Sequence, residues 1–332
     1  MAKKKEEKEL TGVELFREEL GKFFGKSNLP INPDFKNKKI TKFSSGSLKL
    51  DRILKGGIPK GKVTELFGPE ASGKTSLSLH SAASHQKLFP NEPVLWLDLE
   101  DVFDPVYATA IGVDIDNPDK FIYSQPSTGE DAFEVMRRFC SSFEGGLIVV
   151  DSVALLLPAK ESAGDMGDAQ MGAHARLMSQ GMRMVMPLVR QHGTTIIFIN
   201  QIRDKIGAYG DPTATPGGHA LPFYSRTRIV TGKSKGEEGV STVLTMRLKK
   251  ANYGHEGAKT NVEIVYGLGF DWFAELRDIA LEEGVIKKSG SWFSYGETKL
   301  GQGAIATADI LRDNSELAIE IVEKLKANGV EI

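Results

Sequence analysis

Four short stretches hold the residues best equipped for chemistry. Val63 to Thr75 reads VTELFGPEASGKT, and Gly68, Gly73, Lys74 and Thr75 fall on the spacing G-x-x-x-x-G-K-[ST]. Glycines at those positions let backbone N–H groups curl around phosphate oxygens, and the helix that follows points its positive end at them. Pro69, Glu70, Ala71, Ser72 and Ser76 complete the cradle, Lys74 reaches the terminal phosphates, and the Thr75 hydroxyl is a ligand for Mg²⁺. Leu147–Asp151 (LIVVD) is an apolar strand ending in an acid. Alone, such an acid is as well explained as a strand-end cap; downstream of a full phosphate loop it reads as the second half of the site, holding Mg²⁺ through water. Between the two lies VLWLDLE, whose Glu100 faces the terminal phosphate and suits the work of orienting and deprotonating an attacking water. Asp98, Asp101 and Asp104 compete for that role, and the residues alone do not choose among them. The fourth stretch, TTIIFINQ, ends in Gln201 and runs into a long loop, IRDKIGAYGDPTATPGG. Gln201 is placed to sense a γ-phosphate and report it to that loop. Arg203, Lys205, Arg226 and Arg228 outnumber Asp204 and Asp211 there, an excess suited to phosphate contacts, though a solvated surface loop accounts for the same charges.

The elements that must hold these groups follow from the pattern around them. Val94–Leu99, Phe121–Tyr123, Leu147–Asp151 and Thr194–Asn200 read as buried parallel strands, with helices near 75–88, 105–111, 130–142 and 172–192. Strands alternating with helices imply an α/β fold with a mostly parallel, doubly wound sheet, whose ligands lie beyond the carboxyl ends of the strands. Thr227–Thr231, Thr242–Leu248 and Val262–Tyr266 are further strands, with Gly232–Gly239 expected as a hairpin tip. After Gly269 the pattern changes to a helix (Trp272–Glu283), a hairpin (Trp292–Leu300) and two closing helices (Thr307–Leu311, Glu316–Ala327), a small α/β lobe. At the other end, residues 2–9 are a charged solvated tail. Thr11 and Glu14 then form a capping box before a helix carrying Val13, Phe16, Leu20, Phe23 and Phe24 on one face. That face packs either on its own domain or on a neighbouring subunit. Asn28 to Asn37 is a polar linker.

The totals narrow the field. A chain of 332 residues holds one large domain plus a small one, and 40% hydrophobic with 26% charged residues is ordinary for a packed globular protein. A formal net charge of −2 gives no bulk attraction to polyanions, so any nucleic-acid contact must come from local patches. The single cysteine, Cys140, excludes an internal disulfide and a cysteine-rich zinc site and reads as a small buried apolar residue. No apolar run approaches the roughly 20 residues that cross a bilayer, and the N-terminus shows no signal core, so the expected setting is cytoplasmic with no membrane partner.

Five stretches taken together resemble the RecA-type homologous-recombination ATPases: GPEASGKT, LWLDLEDVFDPVYATAIGVDIDN, LIVVDSVALLLP, MGAHARLMSQGMR and FINQIRDKIG. SWFSYGETKLGQG resembles the same family's C-terminal lobe, so the likeness spans roughly residues 11–327. The tail and loops diverge from the usual pattern, as in a phage-encoded or otherwise divergent member. The resemblance implies a P-loop ATPase core over 38–270, preceded by a tail and oligomerisation helix over 1–37 and followed by a C-terminal lobe over 271–332. It assigns Glu100 as the catalytic carboxylate, with Lys74 and Gln201 at the phosphates. Asp104 and Tyr107 contact adenine, Asp151 and Ser152 form the acid–serine pair near Mg²⁺, and Tyr266 approaches the nucleotide from the adjoining subunit. Lys249 reaches across to a neighbour's ATP, although the match slides by one residue and leaves Lys250 as the alternative. DNA contact falls on two loops, about Glu161–Met171 with Gly172 and Arg176 following, and about Arg203–Gly218. Met171 and Ile206 match apolar wedges between base steps, while Arg176, Arg203 and the N–H groups of Gly217 and Gly218 meet phosphates. Lys205, Arg226 and Arg228 add positive charge beside them. Pro216, His219 and Pro222 depart from the family pattern, and the second loop is one residue short of it. The acidic tail usual in the family is missing before Ile332. From Asp271 onward 12 acids face 7 bases, so duplex capture by this lobe would rest on a patch such as Lys287, Lys288 and Lys299.

The expected protein is therefore an ATP- and Mg²⁺-dependent recombinase that forms a helical filament on single-stranded DNA, with ATP at the subunit interface. It would pair that strand with double-stranded DNA and work beside mediator or single-strand-binding proteins. In that filament the N-terminal helix and an added strand over Lys38–Phe43 would dock on the neighbour. Two alternatives share every nucleotide residue: a hexameric motor or helicase, and an ATP-gated filament scaffold that promotes repressor self-cleavage. A small-molecule kinase is disfavoured because no lid signature follows the phosphate loop.

Overall fold

A computed structural model of the chain describes residues 11–25, 39–162, 172–204 and 213–332. The charged tail, the whole polar linker, Lys38, Met171, Lys205 and Ile206 lie outside these residues. Two units separate, Met1–Ile40 and Thr41–Ile332. In the first, α1 (Gly12–Phe24) starts at the expected capping box: the Glu14 N–H donates to the Thr11 hydroxyl and the Thr11 N–H to the Glu14 carboxylate. None of its residues is buried, and Phe23 is 82% exposed.

The second unit opens with β1 (Lys42–Phe43), α2 (Leu48–Leu54) and β2 (Ile58–Pro59). The alternating core follows: β3 (Val63–Gly68), α3 (Lys74–Leu88), β4 (Val94–Asp98), α4 (Pro105–Ala110), β5 (Phe121–Ser124), α5 (Gly129–Ser142), β6 (Leu147–Asp151), α6 (Ala159–Ser162), α7 (Ala173–His192) and β7 (Thr195–Gln201). A ribbon of β8 (Arg203–Asp204) and β9 (Thr213–Ala214) leads to α8 (Ala220–Tyr224), then β10 (Thr227–Lys235), β11 (Ser241–Ala251), β12 (Lys259–Val265) and β13 (Gly269–Phe270). The C-terminal lobe is α9 (Trp272–Glu282), β14 (Lys287–Ser289), β15 (Trp292–Tyr295), β16 (Thr298–Gln302), α10 (Ala304–Asp313) and α11 (Ser315–Ala327).

Nine strands form the main sheet in the order β13-β12-β11-β10-β3-β7-β6-β4-β5. From β10 to β5 every pairing is parallel, and from β10 to β13 every pairing is antiparallel. Successive residues of a central strand serve opposite faces. Leu147 and Val149 join a core with Leu77, Leu79 and Ala82 of α3, whereas Ile148 and Val150 join one with Phe133 and Met136 of α5 and Met178 and Met182 of α7. A third core, built on Leu276, Phe293, Leu311 and Ile321, holds the C-terminal lobe and takes in Leu48 of α2.

Three expectations change. β10 runs through Gly232 to Lys235, so the hairpin tip is 236–240, and the Val240 and Ser241 N–H groups close it on the Glu237 carbonyl. The strand expected over Lys38–Phe43 is shorter, with only Lys42 and Phe43 extended, and it pairs with Pro59 and Ile58 of the same chain in a two-stranded sheet. The C-terminal hairpin has a third strand, since β14 pairs β15 on its other edge.

Candidate functional site

Parallel register brings the four chemical stretches to one level. Gly68 lies opposite Gln201, Ile199 opposite Asp151, and Asp151 opposite Asp98, all at the carboxyl ends of their strands. Beyond them opens a cavity of about 580 Å³, lined on one side by Glu70–Ser76 and on the other by Glu100, Asp151 and Gln201.

The phosphate loop is shaped by contacts that tolerate few side chains. A Cβ on Gly68 would lie 2.2 Å from the Thr231 carbonyl oxygen, and one on Gly73 (φ +75°) 2.2 Å from Leu244 Cδ1. The buried Ser72 hydroxyl donates to the Pro69 carbonyl at 2.7 Å and shares a 2.7 Å hydrogen bond with the Thr231 hydroxyl. Lys74 folds back, with Nζ donating to the carbonyls of Pro69 (2.6 Å) and Gly68 (3.2 Å). Burial holds its pKa below the usual lysine range, against the pull of Asp151, Glu100 and Glu70. No side chain caps α3, so the donors of its first turn face the cavity.

At the facing wall the Thr75 hydroxyl donates to Asp151 Oδ2 at 2.8 Å. Burial pushes the Asp151 carboxyl up to about 7; the Thr75 hydrogen bond opposes the rise, and Glu100 and Asp98 add to it. Glu100 Oε1 accepts from the Ser152 hydroxyl (2.6 Å) and from Gln201 Nε2 (3.0 Å). The other three acids have local duties. Asp98 is buried and accepts from the N–H groups of Val102 and Phe103 and the Tyr123 hydroxyl; Asp101 accepts from Gln125; Asp104 Oδ1 caps α4 through the N–H groups of Val106 and Tyr107. The Ser152 hydroxyl thus meets Glu100, a contact that no sequence spacing announced.

Tyr107 and Tyr266 both line this one cavity. Tyr266 had been expected from an adjoining subunit; it arrives from its own chain because β12 ends beside the start of β11, where the Tyr266 N–H donates to the Val240 carbonyl. Thr231, which supports the loop, and Thr242 and Leu244, which line the cavity, come from the antiparallel strands; the phosphate-loop pattern carries no sign of them.

Lys249 does not line the cavity. Register shifts by one residue between Arg228 and Ile229, which pair Lys250 and Leu248, so Lys249 is the extra residue of a bulge. Lys249 is exposed near the amino end of β10, and Lys250 Nζ donates to the Pro222 carbonyl at 2.9 Å.

The stems of the two candidate DNA loops meet on the first turns of α7. Gly172 (φ +75°) precedes the helix and Arg176 is exposed on it. A Cβ on Gly217 would lie 3.2 Å from Met178 Cγ, and one on Gly218 3.0 Å from Ala175 Cβ. Arg203 is exposed at the start of the second loop. Arg226 and Arg228 do not belong to this group. A strand parallel to β3 must begin at the opposite edge of the sheet, so α8 carries the chain away from the loop, and the Arg226 N–H meets the Val63 carbonyl. Arg228 Nε is paired with the fully buried Glu65 at 2.6 Å, its guanidinium 4.6 Å from the Phe67 ring centroid, which leaves it unsuited to a DNA phosphate. Sequence reasoning passed over Arg183 and Arg190, exposed seven and fourteen residues after Arg176 and without an ion-pair partner among the described residues; the heptad spacing was the available signal. In the C-terminal lobe Lys287, Lys288 and Lys299 are exposed on one three-stranded sheet.

Among the described residues no cluster of three or more His, Cys, Asp or Glu could hold a metal, and no helix is long and apolar enough to cross a membrane. Residues 12–271 match the model of the RecA N-terminal domain and residues 274–329 that of the RecA C-terminal domain. The chain is 41% identical over 327 residues to Protein RecA of Porphyromonas gingivalis, covering 97% of this chain and 95% of that one. It is 40% identical over 316 residues to Protein RecA of Lactococcus lactis subsp. cremoris, covering 92% and 80%. Identity to Protein RecA of Rubrobacter xylanophilus is 39% over 318 residues, covering 93% and 91%.

Proposed function

The chain belongs to the RecA family and is a strand-exchange ATPase of DNA recombination, and we propose that it works as a helical filament on single-stranded DNA with ATP held between neighbouring copies. ATP binding, DNA binding and self-assembly come with the family. In this reading the triphosphate replaces the carbonyls of Gly68 and Pro69 as the partner of Lys74. The backbone from Glu70 to Ser76 cradles its phosphates. Tyr107 and Tyr266 flank the base, and Asp104 Oδ2, the oxygen not used in capping α4, meets an amino group on it. Thr75 and Asp151 supply the hard hydroxyl and carboxylate oxygens that Mg²⁺ takes, and water and phosphate complete such a shell. Bound there, the ion would neutralise charge on the phosphates.

The observation that carries the proposal is the 3.0 Å hydrogen bond from Gln201 Nε2 to Glu100 Oε1. Gln201 stands between the proposed base and the entrance to the second loop. A γ-phosphate that competes for Nε2 frees Glu100 to orient and deprotonate water, and re-aims the chain at the loop. Loss of that phosphate reverses both changes, an order–disorder switch. Arg176, Arg203 and the N–H groups of Gly172, Gly217 and Gly218 would then hold phosphates without reading sequence. Met171, Lys205 and Ile206 keep their proposed roles as wedges and a phosphate contact, and Lys249 would approach a neighbour's ATP. Base pairing with an incoming duplex supplies the sequence match, and the setting is the cytoplasm.

Electron microscopy with single-stranded DNA and a non-hydrolysable ATP analogue should show continuous helical filaments; closed rings would overturn the proposal. In parallel, Glu100→Gln should cut DNA-stimulated turnover by roughly 100-fold or more while ATP still binds. Near-normal turnover would remove Glu100 from the role of base.

A further inference from the structure

Asn200 sits beside Gln201, is fully buried and does not itself line the cavity. Its side chain nonetheless ties three segments together. Nδ2 donates to Glu65 Oε1 (3.0 Å) and to the Pro216 carbonyl (3.1 Å), and Oδ1 accepts from the Gln201 N–H (3.0 Å). Glu65 lies on β3 three residues before Gly68 and has no exposed surface. Its other oxygen takes Arg228 Nε at 2.6 Å. Separating a buried carboxylate from its paired cation leaves an uncompensated charge, so this pair is a fixed point in the sheet. Asn200 is anchored to that point. Through it the strand that becomes the phosphate loop, the backbone of Gln201 and the exit of the second loop are held by one amide.

From this arrangement we infer that Asn200 is a positioning residue for the DNA response, a role resting on the reading of Gln201 as nucleotide sensor. The amide clamps the loop at Pro216 and fixes the height of the Gln201 backbone against Glu100. A change of partner at the Gln201 side chain then acts on the segment between two held ends, instead of being lost in a sliding of the whole loop. Only an amide of this size supplies two N–H donors and an acceptor together. A carboxylate in its place keeps the shape, removes both donors and turns an oxygen towards Glu65 and the Pro216 carbonyl. Aspartate therefore tests the clamp while leaving every residue that lines the cavity in place.

The experiment compares wild-type protein and Asn200→Asp in ATP turnover with and without a single-stranded oligonucleotide. Expected are an ATP KM within about twofold of wild type and a DNA-stimulated turnover lowered at least about tenfold. Undiminished stimulation overturns the inference, as does a KM that rises in step with the lost turnover, since that marks damage to the nucleotide site. Wild-type protein that shows no stimulation would instead sink the reading of Gln201. Amide exchange on the wild type keeps the test independent of a poorly folding variant. The segment 213–218 should keep its exchange rate when a non-hydrolysable ATP analogue is added, and slowing there by more than about threefold overturns the clamp.

Discussion

Ser152 gives the Glu100 carboxylate a 2.6 Å hydrogen bond, and Gln201 supplies another to the same oxygen. The two donors differ in consequence. In the proposed switch a phosphate competes for Gln201, whereas Ser152 is buried in the wall beside Asp151. When Gln201 leaves, Ser152 alone keeps the carboxylate aimed. Ser152→Ala should therefore lower kcat of DNA-stimulated hydrolysis roughly three- to tenfold and leave the ATP KM unchanged; steady-state kinetics decide it, and an equal rise in KM would assign Ser152 to binding instead. The same geometry explains what spacing could and could not say about the acids. Phosphate-loop residues were legible because one contiguous motif holds them. From spacing alone Glu100 did not stand out, and only the family resemblance singled it out; the hydrogen bonds that occupy Asp98, Asp101 and Asp104 come from Tyr123, Gln125 and local backbone turns, which spacing does not show.

Among elements, the phosphate loop depends on a strand far from it in sequence. Thr231 of β10 shares a hydrogen bond with Ser72, and its carbonyl fills the space a Cβ on Gly68 would need. Thr231→Val preserves shape and removes one hydroxyl. It should weaken the loop by about 1 kcal/mol and raise the ATP KM severalfold with little change in kcat. A KM equal to wild type would show that the Pro69 carbonyl alone holds Ser72. Parallel strands announced themselves as unbroken apolar runs, such as Leu147–Asp151, because both faces are covered. α2 and β2 did not, since seven and two residues are too few for a period to show. The bulge at Lys249 was not legible either, because it is defined by how β10 and β11 pair and not by the order of residues along one strand.

Across the whole second unit, the C-terminal lobe is joined to the ATPase core largely through α2 and α9. Lys49 pairs with Asp278 (2.7 Å), and Arg52 pairs with Glu282 (3.0 Å) and Glu283. Between these ion pairs Glu275 is buried, one oxygen accepting from the Ser47 hydroxyl and the Lys49 N–H at 2.8 Å each, the other without a hydrogen-bond partner among the described residues. Burial pushes its carboxyl up to about 7, opposed by those two donors and by the Lys49 charge, while nearby Asp51 adds to the rise. Asp51 is itself raised to about 6 by burial, against hydrogen bonds from Ser44 and Ser45. A carboxyl raised on folding contributes stability fully present below its unfolded pKa and lost as pH rises through the folded one. For Glu275 that window runs from about 4.5 to about 7. Glu275→Gln, which stays uncharged throughout, removes this term. Its melting temperature relative to wild type should therefore climb between pH 5 and pH 8, by roughly 2–4 °C for each kcal/mol of coupling. The measurement is a thermal melt of both proteins across that range, read as a difference so that groups common to both cancel. A difference that stays flat with pH would mean Glu275 is already ionised throughout, held as an anion by Ser47 and Lys49.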